Sequence, residues 1–337
     1  MQLSLIATLL GSVAVQSALG APAITERAQL KVLVGNDDGW AEANVRAFYQ
    51  TLAAAGYNTV VSAPVENQSG TGSSDSAAKV LTKAGQYNSV PVGAPAQGFN
   101  STDPRLNYVN SYPVTAIKYG IATLSPKFFG GSPDIVVTGP NVGNNLGIAT
   151  FFSGTVGAAC EASKQGFPAI AFSGDNSPAR SYTTLVPGDS SFLYGQIAQK
   201  LVATLTATSK PWLPSGVGLN VNFPAVSSTC SKVSDFQFVL TRLYWNPLRT
   251  DVVTCNNGGH LPDETPTKNT SGKCYVTISA FDAQNKRDAS VEEQAAFWLS
   301  SLRSWSARHK KPAQPADADK RHSYRKKLLL RFRARIH

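Results

Sequence analysis

The chain has 337 residues and a formal charge of +10, a balance that taken whole would point to polyanions. Eleven Lys and Arg residues lie in 308–337 against Asp317 and Asp319, so the tail holds +9 and the remainder about +1; nucleic-acid binding by the body has no electrostatic support. Length and an ordinary apolar content of 42% fit one large domain, or one with an appendage, around a sizeable core.

Residues 1–20 read as a signal peptide: Leu3 to Val15 is a short run without charge, and Ala18-Leu19-Gly20 is a small-residue cleavage site, which predicts a secreted protein starting near Ala21. That run is too short to span a bilayer. Val32 to Val34 predicts a buried strand, and Asn36-Asp37-Asp38-Gly39 sits at its carboxyl end, the ligand crevice of open α/β sheets. Val45, Phe48, Leu52 and Ala55 recur at helical spacing up to Gly56, and Asn58 to Ala63 is a second strand closed by Pro64. Strand, helix and strand in some thirty residues form a βαβ unit and hence a parallel sheet. Residues 65–76 are a Ser/Gly-rich loop. Asp134 to Thr138 and Ala169 to Ser173 are further strands, with Ser153 to Ser163 a loop entering a helix. Phe192 to Thr206 is helical, and Gly218 to Phe223, Phe236 to Leu243 and Cys274 to Ala280 read as strands. Ser290-Val-Glu-Glu293 is a capping box opening a helix with Phe297, Trp298 and Leu302. The domain plan is a signal peptide at 1–20, a single domain at 21–305 (core 31–225, extension 226–305) and a basic, disordered tail at 306–337.

Of four cysteines, Cys160 lies in a small-residue helical pattern suited to a buried thiol, and Cys255–Cys274, bracketing a polar loop, is the expected disulfide among three complete connectivities. Asn67, Asn100 and Asn269 head glycosylation sequons.

Four stretches carry chemistry: Asn36 to Gly39, Asn67 to Gly70, Gly139 to Gly147 and Phe152 to Gly157. Each alone reads as a turn or a helix cap. If the strands before them are parallel neighbours, they converge at one sheet edge. They then supply two carboxylates, a hydroxyl, side-chain amides and the N–H groups of a helix N-terminus, which bind phosphate without a cationic side chain. Oxygen donors without imidazole or thiolate suit a hard cation, Mg²⁺, Mn²⁺ or Ca²⁺. His260, His309, His322 and His337 are the only histidines, three of them in the tail; none lies near the amino-terminal motif where a histidine phosphatase needs its nucleophile, and a dinuclear zinc esterase lacks its several ligands. No Gly-x-Ser-x-Gly elbow occurs. The acids are adjacent rather than spaced Asp-x-Asp, which makes a haloacid-dehalogenase phosphatase the second enzymatic choice.

Val32-Leu-Val-Gly-Asn-Asp-Asp-Gly39, Ala63-Pro-Val-Glu-Asn-Gln-Ser-Gly70, Asp134 to Gly147 and Ser153-Gly-Thr-Val-Gly-Ala-Ala159 resemble, in order and spacing, the motif series of the SurE family of metal-dependent phosphatases and nucleotidases. The resemblance covers roughly 31–175, thins through Gly218 to Pro224, Thr241 to Leu243 and Cys274 to Ser279, and ends near 305. It implies a Rossmann-like, three-layer αβα fold with a mostly parallel sheet and a C-terminal β-hairpin and helix extension. Asp37, Asp38, Ser69 and Asn141 are its implied metal ligands, for Mg²⁺ or Mn²⁺, with Asn145 and the Ser153-Gly154-Thr155 turn around the substrate phosphate. The implied activity is that of an acid phosphatase or 5′(3′)-nucleotidase acting on small phosphate monoesters through a metal-activated water, with Asp37 and Asp38 as catalytic residues; which carboxylate takes the water's proton does not follow from the sequence, and Asp37 is assigned that role as a hypothesis. A glycan on Asn67 would crowd Ser69, so that sequon is expected to stay unoccupied, leaving Asn100 and Asn269. Ala43-Asn44 and Thr115-Ala116 depart from the family pattern. A homodimer or higher assembly exchanging carboxyl-terminal elements, from the 236–300 region, is also implied. The alternative is a secreted metal- or phosphate-binding protein without chemistry.

Overall fold

The computed structural model describes residues 29–174, 178–246, 248–254 and 257–298. The signal segment at 1–20, Cys255, Leu302 and the basic tail lie outside the described residues. Branched, apolar β1 (Lys31–Gly35) leads through the acidic turn into α1 (Ala43–Ala54), and β2 (Asn58–Pro64) returns parallel to β1, pairing Val32 with Thr59 and Val34 with Val61. Gly56, with φ of +84°, follows α1 in the left-handed turn that ends such helices. Next come β3 (Gln97–Phe99), β4 (Leu106–Val109), α2 (Pro113–Tyr119), α3 (Ser125–Phe129) and β5 (Ile135–Val142). The chain continues through α4 (Ala149–Phe152), α5 (Gly154–Lys164), β6 (Ala169–Gly174), α6 (Ser190–Leu205) and β7 (Val217–Asn222). The extension holds β8 (Gln237–Thr241), α7 (Glu264–Lys268), β9 (Tyr275–Asp282), β10 (Arg287–Asp288) and α8 (Val291–Phe297).

The ten described strands form one sheet in the order β10-β9-β7-β6-β5-β1-β2-β4-β3, with β8 alongside β9. From β4 across to β7 the pairs are parallel, and β9 joins antiparallel to β7 with Asn222 opposite Thr277. Because β2, β1 and β5 are parallel neighbours, the loops at their carboxyl ends rise from one edge, as the motif argument requires.

Alternation on β1 shows how the layers form. Val32 and Val34 join a core with Val45, Phe48 and Leu52 of α1 and Ile197 and Leu201 of α6, whereas Leu33 joins Ile117 of α2 and Val156 and Ala159 of α5. Both faces of the central strands are therefore dry, which is why they read as continuous apolar runs. Phe172 meets Phe48 edge-on at 5.6 Å and stacks with Phe223 at 5.8 Å, and Tyr194 also stacks with Phe223, at 5.4 Å. Each such pair contributes about 0.5–1.5 kcal/mol beyond area burial and locks β6 against α1 and α6. The capping box forms: the Ser290 hydroxyl accepts the Glu293 N–H, and the Glu293 carboxylate accepts that of Ser290.

The disulfide expectation is corrected. Cys274 is bonded to Cys230, not Cys255, across 44 residues, tying the start of β9 to the segment ahead of β8; Cys160 is buried and free. The expected pairing rested on proximity in sequence, whereas the bond follows the sheet, where Gln237 N–H donates to Cys274 C=O at 2.9 Å. Closing a loop of this length stabilises by about 2–4 kcal/mol. Denaturant unfolding with and without reductant is expected to show a loss of that size, and non-reducing peptide mapping to recover the Cys230–Cys274 linkage; a Cys255–Cys274 peptide would contradict it.

Candidate active site

At the end of β1 the turn is held by its own backbone and by the neighbouring strand's loop. Asn36 Nδ2 donates to Gly39 C=O at 3.0 Å, Trp40 N–H to Pro64 C=O at 2.8 Å, and Gln68 N–H to Asp37 C=O at 2.7 Å. Asp37 and Asp38 are only 2% and 1% exposed. Burial raises the pKa of both, and the charges of Asp37 and then Glu42 push Asp38 further, well above the usual carboxylate range. Hydrogen bonds from the Thr155 hydroxyl and from the backbone of Thr155, Asp37 and Gly154 partly restore ionised Asp37. Among the described residues no Lys, Arg or His forms an ion pair with either acid.

Asn141 reaches this pair through a break in β5. The register with β6 shifts between Thr138 and Asn141, the signature of a bulge that re-aims side chains. Gly139 is required there: its φ is +95°, and a Cβ would lie 2.1 Å from Phe172 O. Beyond the bulge, Asn141 Nδ2 donates to Val142 C=O and Gly143 C=O at 3.1 and 2.6 Å, which turns Oδ1 inward. Thr155 Oγ1 then donates to Asp37 Oδ1 and lies 3.2 Å from Asn141 Oδ1, while Val142 N–H donates to Asp38 Oδ2 at 2.8 Å. One hydroxyl thus joins the acidic turn, the bulged strand and α5.

Ser153 caps α5, its hydroxyl accepting Val156 N–H at 3.1 Å, so the cap reading of that serine holds structurally. Gly154 lies hard against Asp37. Ser69 is exposed, its N–H donating to Asn67 Oδ1 at 2.8 Å, and its loop is joined to Asp37 through Gln68. Asn145 belongs to a separate buried group. Its N–H donates to Asn222 Oδ1 at 2.9 Å and its Nδ2 to Ser173 Oγ at 2.8 Å. The structure therefore gathers Asp37, Asp38, Asn141, Gly154 and Thr155 directly, brings Ser69 alongside through the backbone, and holds Asn145 through β6 and β7.

Sequence reasoning missed the partners of Asn145, which are Ser173, Asn220 and Asn222, and the buried Glu264 that Asn220 and Gly147 bond. Asn220 and Asn222, polar residues alternating inside a predicted buried strand, were the available signal. Both family departures have structural roles. Thr115 Oγ1 donates to Asp75 Oδ1 at 2.6 Å and anchors the 65–76 loop, while Ala116 and Ala43 are fully buried.

A divalent cation fits the donor set. Two buried carboxylates without a cationic partner, the Asn141 Oδ1 beside the Thr155 hydroxyl that reaches Asp37, and, in the same turn as the acids, a buried Asn36 Oδ1 lacking any hydrogen bond supply oxygen without positive charge.

Two outcomes follow. Gly154→Ala would put its Cβ 2.9 Å from Asp37 Cβ and from Pro113 Cγ; calorimetric unfolding is expected to show about 1–3 kcal/mol of destabilisation, and an unchanged melt would mean that α5 yields freely. Burial also pushes Glu264 up to about 8 from 4.5. A carboxyl raised by folding favours the folded chain below its unfolded pKa and loses that contribution as pH climbs through its folded pKa. Stability is accordingly expected to decline from about pH 5 toward pH 8.5, with a shallower decline in Glu264→Gln by melts across that range.

The survival protein SurE family model matches residues 32–247. The chain is 34% identical over 303 residues to an acid phosphatase of Yarrowia lipolytica, covering 81% of this chain and 84% of that protein. It is 31% identical over 198 residues to 5′-nucleotidase SurE of Lawsonia intracellularis, covering 59% and 67%. The crystal structure of the SurE protein from Aquifex aeolicus superposes with a TM-score of 0.50 at 21% identity over 80% of this chain and 98% of that one, a likeness of fold. These matches replace the haloacid-dehalogenase alternative: the chain, with its bulged β5 and buried acidic pair, belongs to the SurE family.

Proposed function

We propose that this chain is a secreted, divalent-metal-dependent phosphomonoesterase that acts on nucleotides or other small phosphate monoesters. Hydrolysis of a phosphate monoester as the reaction class follows from the family together with relatives named acid phosphatase and 5′-nucleotidase. The observation that carries the metal-dependent reading is the single Thr155 hydroxyl between Asp37 and Asn141, beside a second buried carboxylate.

Asp37, Asp38 and Asn141 Oδ1 would hold Mg²⁺ or Mn²⁺, with the exposed Ser69 hydroxyl on the open side. Bound there, the ion would neutralise phosphate charge and lower the pKa of a water. The Thr155 hydroxyl and the backbone of Gly154 and Thr155 keep the Asp37 carboxylate in one orientation, so that it is placed to accept a proton. The positive end of α5 lies at Asp37 and stabilises negative charge gathered beside it, and Asn145 lines the phosphate side. Secretion rests on the 1–20 segment, and Asn269, exposed, and Asn100, half-buried, are the proposed glycan acceptors. No helix among the described residues is long and apolar enough to cross a membrane. A homodimer belongs to the same reading.

Hydrolysis of p-nitrophenyl phosphate in Mn²⁺ or Mg²⁺ is the test. Activity is expected to vanish with chelator and return on re-addition of metal. Asp37→Asn is expected to lower kcat by about 10²–10⁴ while the protein stays folded. Metal binding without turnover in the wild-type protein would instead favour the non-catalytic binder.

A further inference from the structure

Glu264 opens α7 in the C-terminal extension, has no exposed surface, and is absent from every ion pair among the described residues. A carboxyl in such a place is costly unless hydrogen bonds replace its water. Three donors do so: Gly147 N–H to Oε1 at 2.9 Å, and Asn220 Nδ2 and Ser279 Oγ to Oε2 at 3.1 and 3.0 Å. Ser279 in turn shares a hydrogen bond of 2.8 Å with the Thr241 hydroxyl. Asn220 Nδ2 also donates to Asn145 C=O at 2.8 Å, and Asn222 grips Asn145 at both N–H and C=O, at 2.9 and 3.1 Å. Glu264 thus fixes the 145–147 turn at one end through Gly147 and at the other through Asn220. The turn follows the bulged strand that delivers Asn141, and it leads through α4 into Ser153.

We propose that Glu264 is a positioning residue for phosphate, the point from which the C-terminal extension sets where Asn145 stands. This rests on the phosphatase reading, which gives Asn145 its place beside the substrate. A purely scaffolding carboxyl would need no bond to that turn, since Ser279 and Asn220 alone tie α7 to β9 and β7. The bond to Gly147 spans 117 positions of sequence and is the contact that couples the extension to the loop.

Glu264→Gln tests the proposal without opening a cavity. It keeps an acceptor for Gly147 but sets an NH₂ group against the Asn220 amide that holds Asn145. Loss of one hydrogen bond of ordinary net strength corresponds to about a 2- to 10-fold change in binding. The KM for p-nitrophenyl phosphate and the inhibition constant of inorganic phosphate, both in Mn²⁺, are expected to rise together by about that factor, with kcat changed less than twofold. Glu264→Ala, where it folds, is expected to exceed the Gln variant. Combined with Asn145→Ala, the Gln substitution is expected to weaken phosphate no further than Asn145→Ala alone. A Gln variant with wild-type KM and phosphate inhibition, whether or not its melting temperature falls, overturns the proposal, as does full additivity in the double variant. Calorimetric titration of Mn²⁺-loaded wild-type and Gln proteins with inorganic phosphate separates this from the parent reading: a wild type that binds phosphate without turnover refutes catalysis, and the Gln shift in affinity still decides the role of Glu264.

Discussion

Two adjacent carboxylates held out of water at the end of β1 are the constraint around which this protein is arranged. Unit charges about 4 Å apart repel by about 4 kcal/mol at an effective dielectric of 20, and desolvation adds to that cost. Several structural features act on this problem at once. The 65–70 loop is tied to the Asp37 carbonyl through Gln68, the bulge in β5 turns Val142 N–H onto Asp38, and α5 begins against Asp37 with Thr155 donating to its carboxylate. Each donor supplies partial positive charge, but none is a cation. The cluster is electrostatically incomplete in a way that an oxygen-seeking divalent ion would complete.

The sheet explains why so few local devices suffice. Parallel neighbours β2, β1 and β5 necessarily end on the same edge, so three loops with no sequence proximity meet there without any long excursion. What the parallel order does not supply is aim. Asn141 would continue the pleat of β5 were it not for the one-residue slip between Thr138 and Asn141, where the backbone at Gly139 runs too close to Phe172 for a side chain. Asn145 is placed from farther away, through Asn220 and Asn222 of β7 and the extension that packs β9 against β7.

This division also separates what was legible in the chain from what was not. β1, α1, β2, β5, β6, α6 and β7 announce themselves because apolar residues on both faces of a parallel sheet leave unbroken branched runs, and α1 and α6 show helical spacing. The acidic turn is visible because adjacent Asp residues after such a run are chemically unusual. Edge strand β3, the four-residue β4 beside it and the short helices α2 and α3 carry little periodic signal: Gln97-Gly-Phe99 has no buried residue, β4 is too short to show a period, and α2 has barely two turns. Cys230 and Glu264 were illegible for a different reason. Their partners are assigned by strand order, Cys230 by the pairing of β8 with β9 and Glu264 by the meeting of β7, β9 and the 143–148 loop, and no local pattern encodes a meeting of that kind. Thr115 departs from the family pattern, yet it anchors Asp75, a contact visible only once the 65–76 loop is folded back on α2.

The charges at the site also constrain how a phosphate ester is received. The N-terminus of a helix such as α5 carries roughly half a positive charge, and here its first hydroxyl and N–H groups are already turned toward Asp37. Set against two ionised carboxylates, that half charge leaves the pocket decidedly negative, and a phosphate dianion would be repelled from it. Protonating the acids would relieve the repulsion, and the raised pKa values of Asp37 and Asp38 show that the folded chain leans that way when nothing else balances them. With a divalent cation held by Asp37, Asp38 and Asn141, the same residues would carry the opposite sign: both carboxylates would be offset, and the field of α5 would be directed at the incoming anion. On the proposed reading, metal and phosphate affinity are therefore one property, because the pocket attracts phosphate only when its own excess of oxygen is answered.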